Sequence, residues 1–220
     1  MKKFLQTAVM IFAAGVALAD NVPEGRVPPV AVWKVQAPKN IGGHATEVLG
    51  APSVAEGAVV FDGVRDGLLV EANPLAGAAE FTVEILFSPA EGGPEAQRFF
   101  HLEDAAGSRV MIETRLDGKG GWWLDTFLGT SAGGTPLIDA KRVHPTNKFY
   151  WAAVRYDGKT MAHFVNGEKE LEAAGVKFGP LGAGKTSLGV RQNRVYWFKG
   201  AIREVRFTPA ALAAGELQRE

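Results

Sequence analysis

Seven residues carry the chemistry most worth placing: Glu84, His101, Glu113, Arg115, Trp123, Asp125 and Arg191. All but Arg191 lie inside runs that alternate apolar and polar side chains, so strand parity decides which way they point. With Phe81, Val83, Ile85 and Phe87 on a core face, Glu84 points away. Val110, Ile112, Thr114 and Leu116 share one face, leaving Met111, Glu113 and Arg115 on the other. Trp123, Asp125 and Phe127 lie opposite Trp122, Leu124 and Thr126, and His101 alternates against Phe100 and Leu102. The seven are therefore expected on one polar, aromatic-bearing surface, with Trp197 as a rim aromatic beside Tyr196. Such a mixture suits sugar: planar donors and acceptors meet hydroxyls, and an indole face meets the C–H side of a pyranose ring. The same residues would equally serve as solvated cross-strand charge pairs, and a one-residue slip in register exchanges the faces.

Other constellations are weaker. Gly179–Thr186 fits the expression G-x-x-x-x-G-K-[ST], but phosphate cradling needs a helix after the loop. Ser187-Leu188-Gly189-Val190 reads as a strand, and Pro180 removes an amide, so the stretch is a glycine-rich turn. The histidines, at 44, 101, 144 and 163, lack metal-ligand spacing to one another or to a suitable acid pair. Hydrolysis of a glycosidic bond needs two carboxylates about 5–10 Å apart. Glu103 and Asp104 are adjacent and would point to opposite sides of a strand.

The elements that must position these groups are short strands. Period-two runs are expected at Val30–Val35, Ala58–Phe61, Leu68–Val70, Phe81–Phe87, Arg98–Leu102, Arg109–Leu116, Trp122–Leu128, Phe149–Tyr156, Thr160–Val165, Thr186–Val190 and Gly200–Phe207. Asp117-Gly118, Asp157-Gly158 and Asn166-Gly167 are dipeptides that accept positive φ in hairpin turns. Many short strands at such spacing predict an all-β sandwich or barrel. A short C-terminal helix is expected, with Thr208 as N-cap, Pro209 in the first turn and an Ala/Leu-rich run to Leu217.

Composition agrees. Gly numbers 27 and Pro 12, against the grain of a helical bundle. Lys plus Arg and Asp plus Glu are 24 each, so no basic surface announces a nucleic-acid partner. The absence of Cys excludes disulfides, thiolate metal sites and a Cys nucleophile. Residues 1–19 read as a bacterial-type signal peptide: Lys2-Lys3, an apolar stretch from Phe4 to Leu18, and Ala17-Leu18-Ala19 before Asp20. Cleavage after Ala19 would remove two lysines and no acids, taking the formal charge from 0 to −2. It would deliver the protein to the periplasm or the exterior without a membrane span, since the apolar run is shorter than the roughly 20 residues a spanning helix needs.

The series Phe61-Asp62-Gly63-x-x-Asp66-Gly67-Leu68-Leu69-Val70, Phe81-Thr82-Val83, Trp151-Ala152-Ala153-Val154-x-Tyr156-Asp157-Gly158, Val165-Asn166-Gly167 and Phe198–Phe207 resembles the laminin-G-like domains of the concanavalin A-like lectin/glucanase superfamily. The resemblance implies a two-sheet antiparallel jelly-roll sandwich. With the signal peptide (1–19) read above, the chain is expected to divide into that peptide, an N-terminal lead with a first strand (20–57) and the jelly roll proper (58–220), the lead forming one domain with the roll. The resemblance also implies a non-catalytic recognition module binding carbohydrate or glycoconjugate on the concave sheet face. A protein-interaction or envelope-structural module, contacting other envelope proteins, is the alternative. An unrecognised polysaccharide lyase or hydrolase is a further one. Gln97, Arg98, His101, Arg115 and Tyr196 supply lyase residue types without the lyase strings, and the Glu-x-Asp-x-x-Glu run of the superfamily's glucanases is missing. No cofactor is expected. The family's last strand often reads Ile-Asp-Glu-Val, but Arg203 stands where that acid would help hold calcium, so no calcium site is expected beside Glu204.

Overall fold

The computed structural model describes residues 26–219. Seventeen strands follow one another: β1 (Ala31–Lys34), β2 (Asn40–Ile41), β3 (His44–Leu49), β4 (Ser53–Ala55), β5 (Ala58–Asp62), β6 (Gly67–Val70), β7 (Phe81–Pro89), β8 (Ala96–Asp104), β9 (Arg109–Leu116), β10 (Gly121–Thr130), β11 (Gly133–Ile138), β12 (His144–Pro145), β13 (Tyr150–Tyr156), β14 (Thr160–Val165), β15 (Glu168–Ala174), β16 (Gly184–Leu188) and β17 (Lys199–Thr208). They form two antiparallel sheets. The first runs β15-β14-β13-β7-β17-β5-β4, with β1 also paired to β17. The second runs β11-β10-β9-β8-β16-β6-β3-β2, with β12 also paired to β10. The fold is therefore the expected all-β, two-sheet jelly-roll sandwich.

Alternation builds the core. Phe81, Val83, Ile85 and Phe87 of β7 are fully buried and face Val110, Ile112, Trp122 and Leu124 of the second sheet. Phe87 stacks on Phe99 with ring centroids 4.1 Å apart and meets Trp122 edge-on, and Phe198 closes the group. Such aromatic burial is large per residue and supplies the cohesion that a cysteine-free chain needs. Polar contacts also join the sheets: His163 Nδ1 of β14 lies 2.9 Å from Thr126 Oγ1 of β10, and Lys199 N of β17 donates to Gln97 Oε1 of β8. Burial holds the His163 imidazole neutral, with its pKa lowered to about 4.

The expected C-terminal helix does not form. After β17 the chain runs extended, with a single 3₁₀ turn at Ala214–Glu216. Thr82 Oγ1 donates to Ala210 O and accepts from Leu212 N, while Glu84 Oε1 accepts from Gln218 N. These peptide groups are thereby tied to β7 side chains across the outer face of the first sheet. Leu212 and Leu217 are both buried there against Ala153, Ala162 and Phe164. Five residues apart, they would point roughly 140° from each other on a helix of 3.6 residues per turn. Packing of both leucines overrides the helix propensity of the intervening alanines.

The expected signal peptide lies outside the described residues. Among the described residues no helix is long and apolar enough to cross a membrane. The glycine-rich turn before β16 is confirmed as such: Gly184–Leu188 is a strand, Gly182 N donates to Asp104 Oδ2, and Lys185 pairs with Glu71.

Candidate functional site

The register of the second sheet sets its outward side chains in rows. Glu103 of β8 stands opposite Arg109 of β9. In the next row His101 faces Met111, which faces Phe127 of β10. Then come Arg98, Glu113, Asp125 and, on β11, Ile138. The last row sets Ala96, Arg115 and Trp123 side by side. His101, Glu113, Arg115, Trp123 and Asp125 are thus brought onto one face, as parity predicted. Glu84 is not among them. It points outward from the other sheet, beneath the C-terminal tail, where its carboxylate bonds to Arg26 and to Gln218 N. Parity names the side of a strand; it does not say to which sheet the strand belongs.

Arg98, absent from the expected set, belongs to the face because of a β-bulge between Arg98 and Phe100. Phe99 and Phe100 both enter the core, and the extra residue returns Arg98 to the outside. Strict alternation from Phe100 would have put Arg98 inward.

The middle of the face is an ion-pair network. Arg115 donates to Asp125 Oδ2 from Nε at 2.9 Å and from Nη2 at 2.7 Å, and Nη2 stands 3.7 Å from Glu113 Oε2. Arg98 Nε lies 2.9 Å from Glu113 Oε1. Glu113 is 2% exposed. Burial and then the neighbouring Asp125 charge push its pKa up to about 7, against the opposing pull of Arg98 and Arg115. A carboxyl poised near neutrality beside a second carboxylate makes this face the candidate functional region.

His101 is 1% exposed. Its Nδ1 accepts from Gln192 N at 3.2 Å, so the proton of the neutral ring sits on Nε2. Burial and the guanidinia of Arg191, Arg109 and Arg98 lower its pKa to about 3. The 3.2 Å approach of Glu103 Oε2 to Nε2 is consequently no ion pair at neutral pH. Arg191 and Trp197 lie in the loop between Gly189 and Phe198, whose backbones are bonded to each other. Within that loop Tyr196 covers Arg98, with the guanidinium carbon 3.6 Å from the ring centroid.

Beyond Trp123 the face opens into a cavity of about 600 Å³ lined by Glu91, Glu95, Asp117, Trp123, Thr146 and turn glycines. The Asp117-Gly118 hairpin builds one wall. Asp117 Oδ1 accepts from Lys119 N and Gly121 N, and those bonds hold its carboxyl below the usual range. Glu91 Oε1 accepts from Thr146 Oγ1 at 3.3 Å. Sequence reasoning assigned Asp117 to a turn and left Glu91 unplaced; the signal it lacked was that the β7–β8 and β9–β10 turns lie side by side.

The remaining histidines stand apart from this face: His44 lies near Trp33, and His144 Nε2 lies 2.6 Å from Glu170 Oε1. Among the described residues no group of three or more His, Asp or Glu has the geometry to hold a metal ion. Glu204, next to the position considered for calcium, is occupied by Lys34 and Arg206, while Arg203 donates to Glu56 O and stacks on Phe149.

Residues 62–218 match the Laminin_G_3 profile, described as the concanavalin A-like lectin/glucanases superfamily. No curated protein sequence matches the chain. Among solved structures it is similar to domain 4 of an extracellular GH43 arabinanase from Geobacillus stearothermophilus, in complex with arabinotriose. The TM-score there is 0.64 at 17% identity, covering 86% of this chain and 96% of that one. It is similar to Trypanosoma rangeli sialidase in complex with sialic acid (TM-score 0.61, 13% identity, 96% of this chain and 34% of that one). It is also similar to the botulinum neurotoxin serotype D binding domain (TM-score 0.59, 12% identity, 86% and 49%). At these identities the likeness is one of fold.

Proposed function

The chain belongs to the concanavalin A-like lectin/glucanase superfamily, and on that premise we propose that it is an exported, non-catalytic recognition module that binds carbohydrate or glycoconjugate. The binding surface is the outer face of the second sheet together with the cavity beside Trp123. The observation that carries this reading is the last two rows of that face. A partly exposed indole stands beside Arg115, Arg115 is fixed by Asp125 and Glu113, and the row ends at a polar cavity. An indole wall with oriented donors and acceptors beyond it is the arrangement that sugar rings use. Two of the similar structures hold a sugar, arabinotriose in one and sialic acid in the other.

The test is native gel retardation of residues 20–220 across soluble polysaccharides. Retardation by at least one class is expected. Replacing both Trp123 and Arg115 by Ala should weaken it at least about tenfold, since each removes a partly buried contact of 1 kcal/mol or so. Retention of binding in that double variant would place the site elsewhere. Shortened polysaccharide in the lanes would replace the module with an enzyme. Failure to bind any polysaccharide would favour a protein-contact module of the envelope.

A further inference from the structure

The face described above carries more hydrogen-bond donors than the chain supplies acceptors for. Arg98 Nε and Nη1, His101 Nε2 and Arg109 Nε are buried without a hydrogen-bond partner. Two of these atoms face carboxylates, Arg98 Nε with Glu113 Oε1 at 2.9 Å and His101 Nε2 with Glu103 Oε2 at 3.2 Å, which leaves Arg98 Nη1 and Arg109 Nε unanswered. Among the described residues Arg109 has no carboxylate within 4 Å, and its Nη2 donates to Thr130 O at 3.3 Å. Arg191 adds a third guanidinium close enough to act on His101. Buried donors left unpaired cost free energy that an arriving acceptor recovers.

From this we infer that the Arg98–His101–Arg109 part of the face is an oxyanion subsite, and that the saccharide recognised carries carboxylate or sulfate groups. The inference rests on the carbohydrate reading above and specifies its ligand class. Three guanidinia and a neutral imidazole N–H converge on it, and planar guanidinium forks match carboxylate and sulfate oxygens. Of the carboxylates on the same face, Asp125 holds Arg115, Glu113 is shared between Arg98 Nε and Arg115, and Glu103 lies beside His101 Nε2, so three carboxylates do not saturate the guanidinia of Arg98, Arg109, Arg115 and Arg191. Imidazole neutrality keeps His101 a donor through Nε2 only, which lies 3.2 Å from Glu103 Oε2, with Arg98 and Arg109 in the adjoining rows.

Access runs past the loop of residues 190–197. Arg194 and Tyr196 there adopt φ of 61° and 60°, the left-handed region that non-glycine residues enter at a cost. Tyr196 is 45% exposed on the side away from Arg98. Its ring fixes the Arg98 guanidinium from above, and a small shift of this loop admits a ligand oxygen to Nη1.

The experiment measures affinity for three probes: polygalacturonate, which carries carboxylates; dextran sulfate, which carries sulfates; and neutral dextran, which shares the dextran sulfate backbone. At least one acidic probe should bind at least about tenfold more tightly than dextran, with affinity falling as salt rises. Arg98→Gln and Arg109→Gln should each weaken the acidic probe about tenfold. Arg65→Gln, on a side chain 74% exposed in a distant turn, should leave it unchanged. Tyr196→Ala removes a half-exposed ring whose contact is with Arg98 and should weaken binding severalfold with little change in thermal stability, which keeps the test decisive if Arg98→Gln does not fold. Preference for polygalacturonate identifies the group as carboxylate, and preference for dextran sulfate as sulfate. Equal or tighter binding of neutral polysaccharide overturns the oxyanion subsite and leaves the carbohydrate reading standing. Absence of binding to any polysaccharide overturns both. An equal loss in Arg65→Gln and Arg98→Gln shows attraction to general surface charge and overturns the subsite.

Discussion

Glu113 should make the protein less stable as pH rises. Its carboxyl is 2% exposed, and burial with the adjacent Asp125 lifts its pKa from an ordinary 4.5 to about 7. The folded state therefore holds a proton on Glu113 that the unfolded chain has released anywhere between those two values. Stability from this group is fully present below pH 4.5 and is lost as pH climbs through about 7. Each pH unit in that interval is worth about 1.4 kcal/mol per proton, so the loss is about 3 kcal/mol. For a chain of this size about 1 kcal/mol corresponds to 2–4 °C, so Tm should fall by roughly 6–12 °C across the window. The assay is thermal unfolding from pH 4.5 to 8 of the wild type and of Glu113→Gln. Gln keeps the shape of the side chain and cannot titrate, so the difference between the two profiles reports Glu113 together with its effect on Asp125 and removes the contribution of the other titrating groups. The buried histidines, His101 at about 3 and His163 at about 4, are neutral in the folded state but charge in the unfolded chain below its ordinary 6.5, so they raise stability with pH up to that value in both proteins and cancel in the difference profile. A difference profile that is flat between pH 4.5 and 8, or one that rises with pH, would refute the claim that burial dominates over Arg98 and Arg115.

Two further predictions concern the scaffold. Gly189 has φ +78°, and a Cβ added there would sit 2.3 Å from Phe61 Cδ1. Gly189→Ala should cost at least about 2 kcal/mol from overpacking and left-handed backbone together; a denaturation midpoint equal to wild type would mean that the β16–β17 connection follows another path. Leu212→Ala should cost about 2–5 kcal/mol because that side chain is buried under the tail. Glycan retardation by the folded fraction should not change, since the tail lies on the opposite sheet. An unchanged Tm in this variant would show that the tail is not packed.

The strands that lie in the core were legible in the sequence because their burial is periodic. Phe81–Phe87, Arg109–Leu116 and Trp122–Leu128 alternate cleanly, and β7, β9 and β10 follow them. The edge strands were not. His44–Leu49, Gly133–Ile138 and Glu168–Ala174 bury almost nothing on a consistent face, so no period-two signal marks them. Charged Glu168–Ala174 even has a helix-favouring composition, and cross-strand bonds to β14 decide its state. Of the candidate site, five residues share a face because parity within each strand survives folding. Arg98 was hidden by one bulge, and Glu84 by a question that parity does not answer, namely which of two sheets a strand joins.

That question also decides which outer surface is available for recognition. Both sheets carry buried charge on their outer faces. On the first, the chain covers it itself: Arg26 and Gln218 N meet Glu84, Lys34 and Arg206 meet Glu204, and Leu212 and Leu217 lie over Phe164. Those groups are held by segments that come from the two ends of the described chain, so occupancy by a ligand would require undocking a packed strap. On the second sheet, among the described residues, the 190–197 loop reaches the polar rows, and it bonds to the sheet through Arg98 N, His101 Nδ1, Gln192 Nε2 to Lys185 O, and Arg194 to Glu47. It leaves Trp123, Arg115 and the neighbouring cavity uncovered. A face whose polar groups are only partly answered from within the chain, with an open cavity at one end and unpaired donors at the other, is the one on which an external ligand gains most per contact.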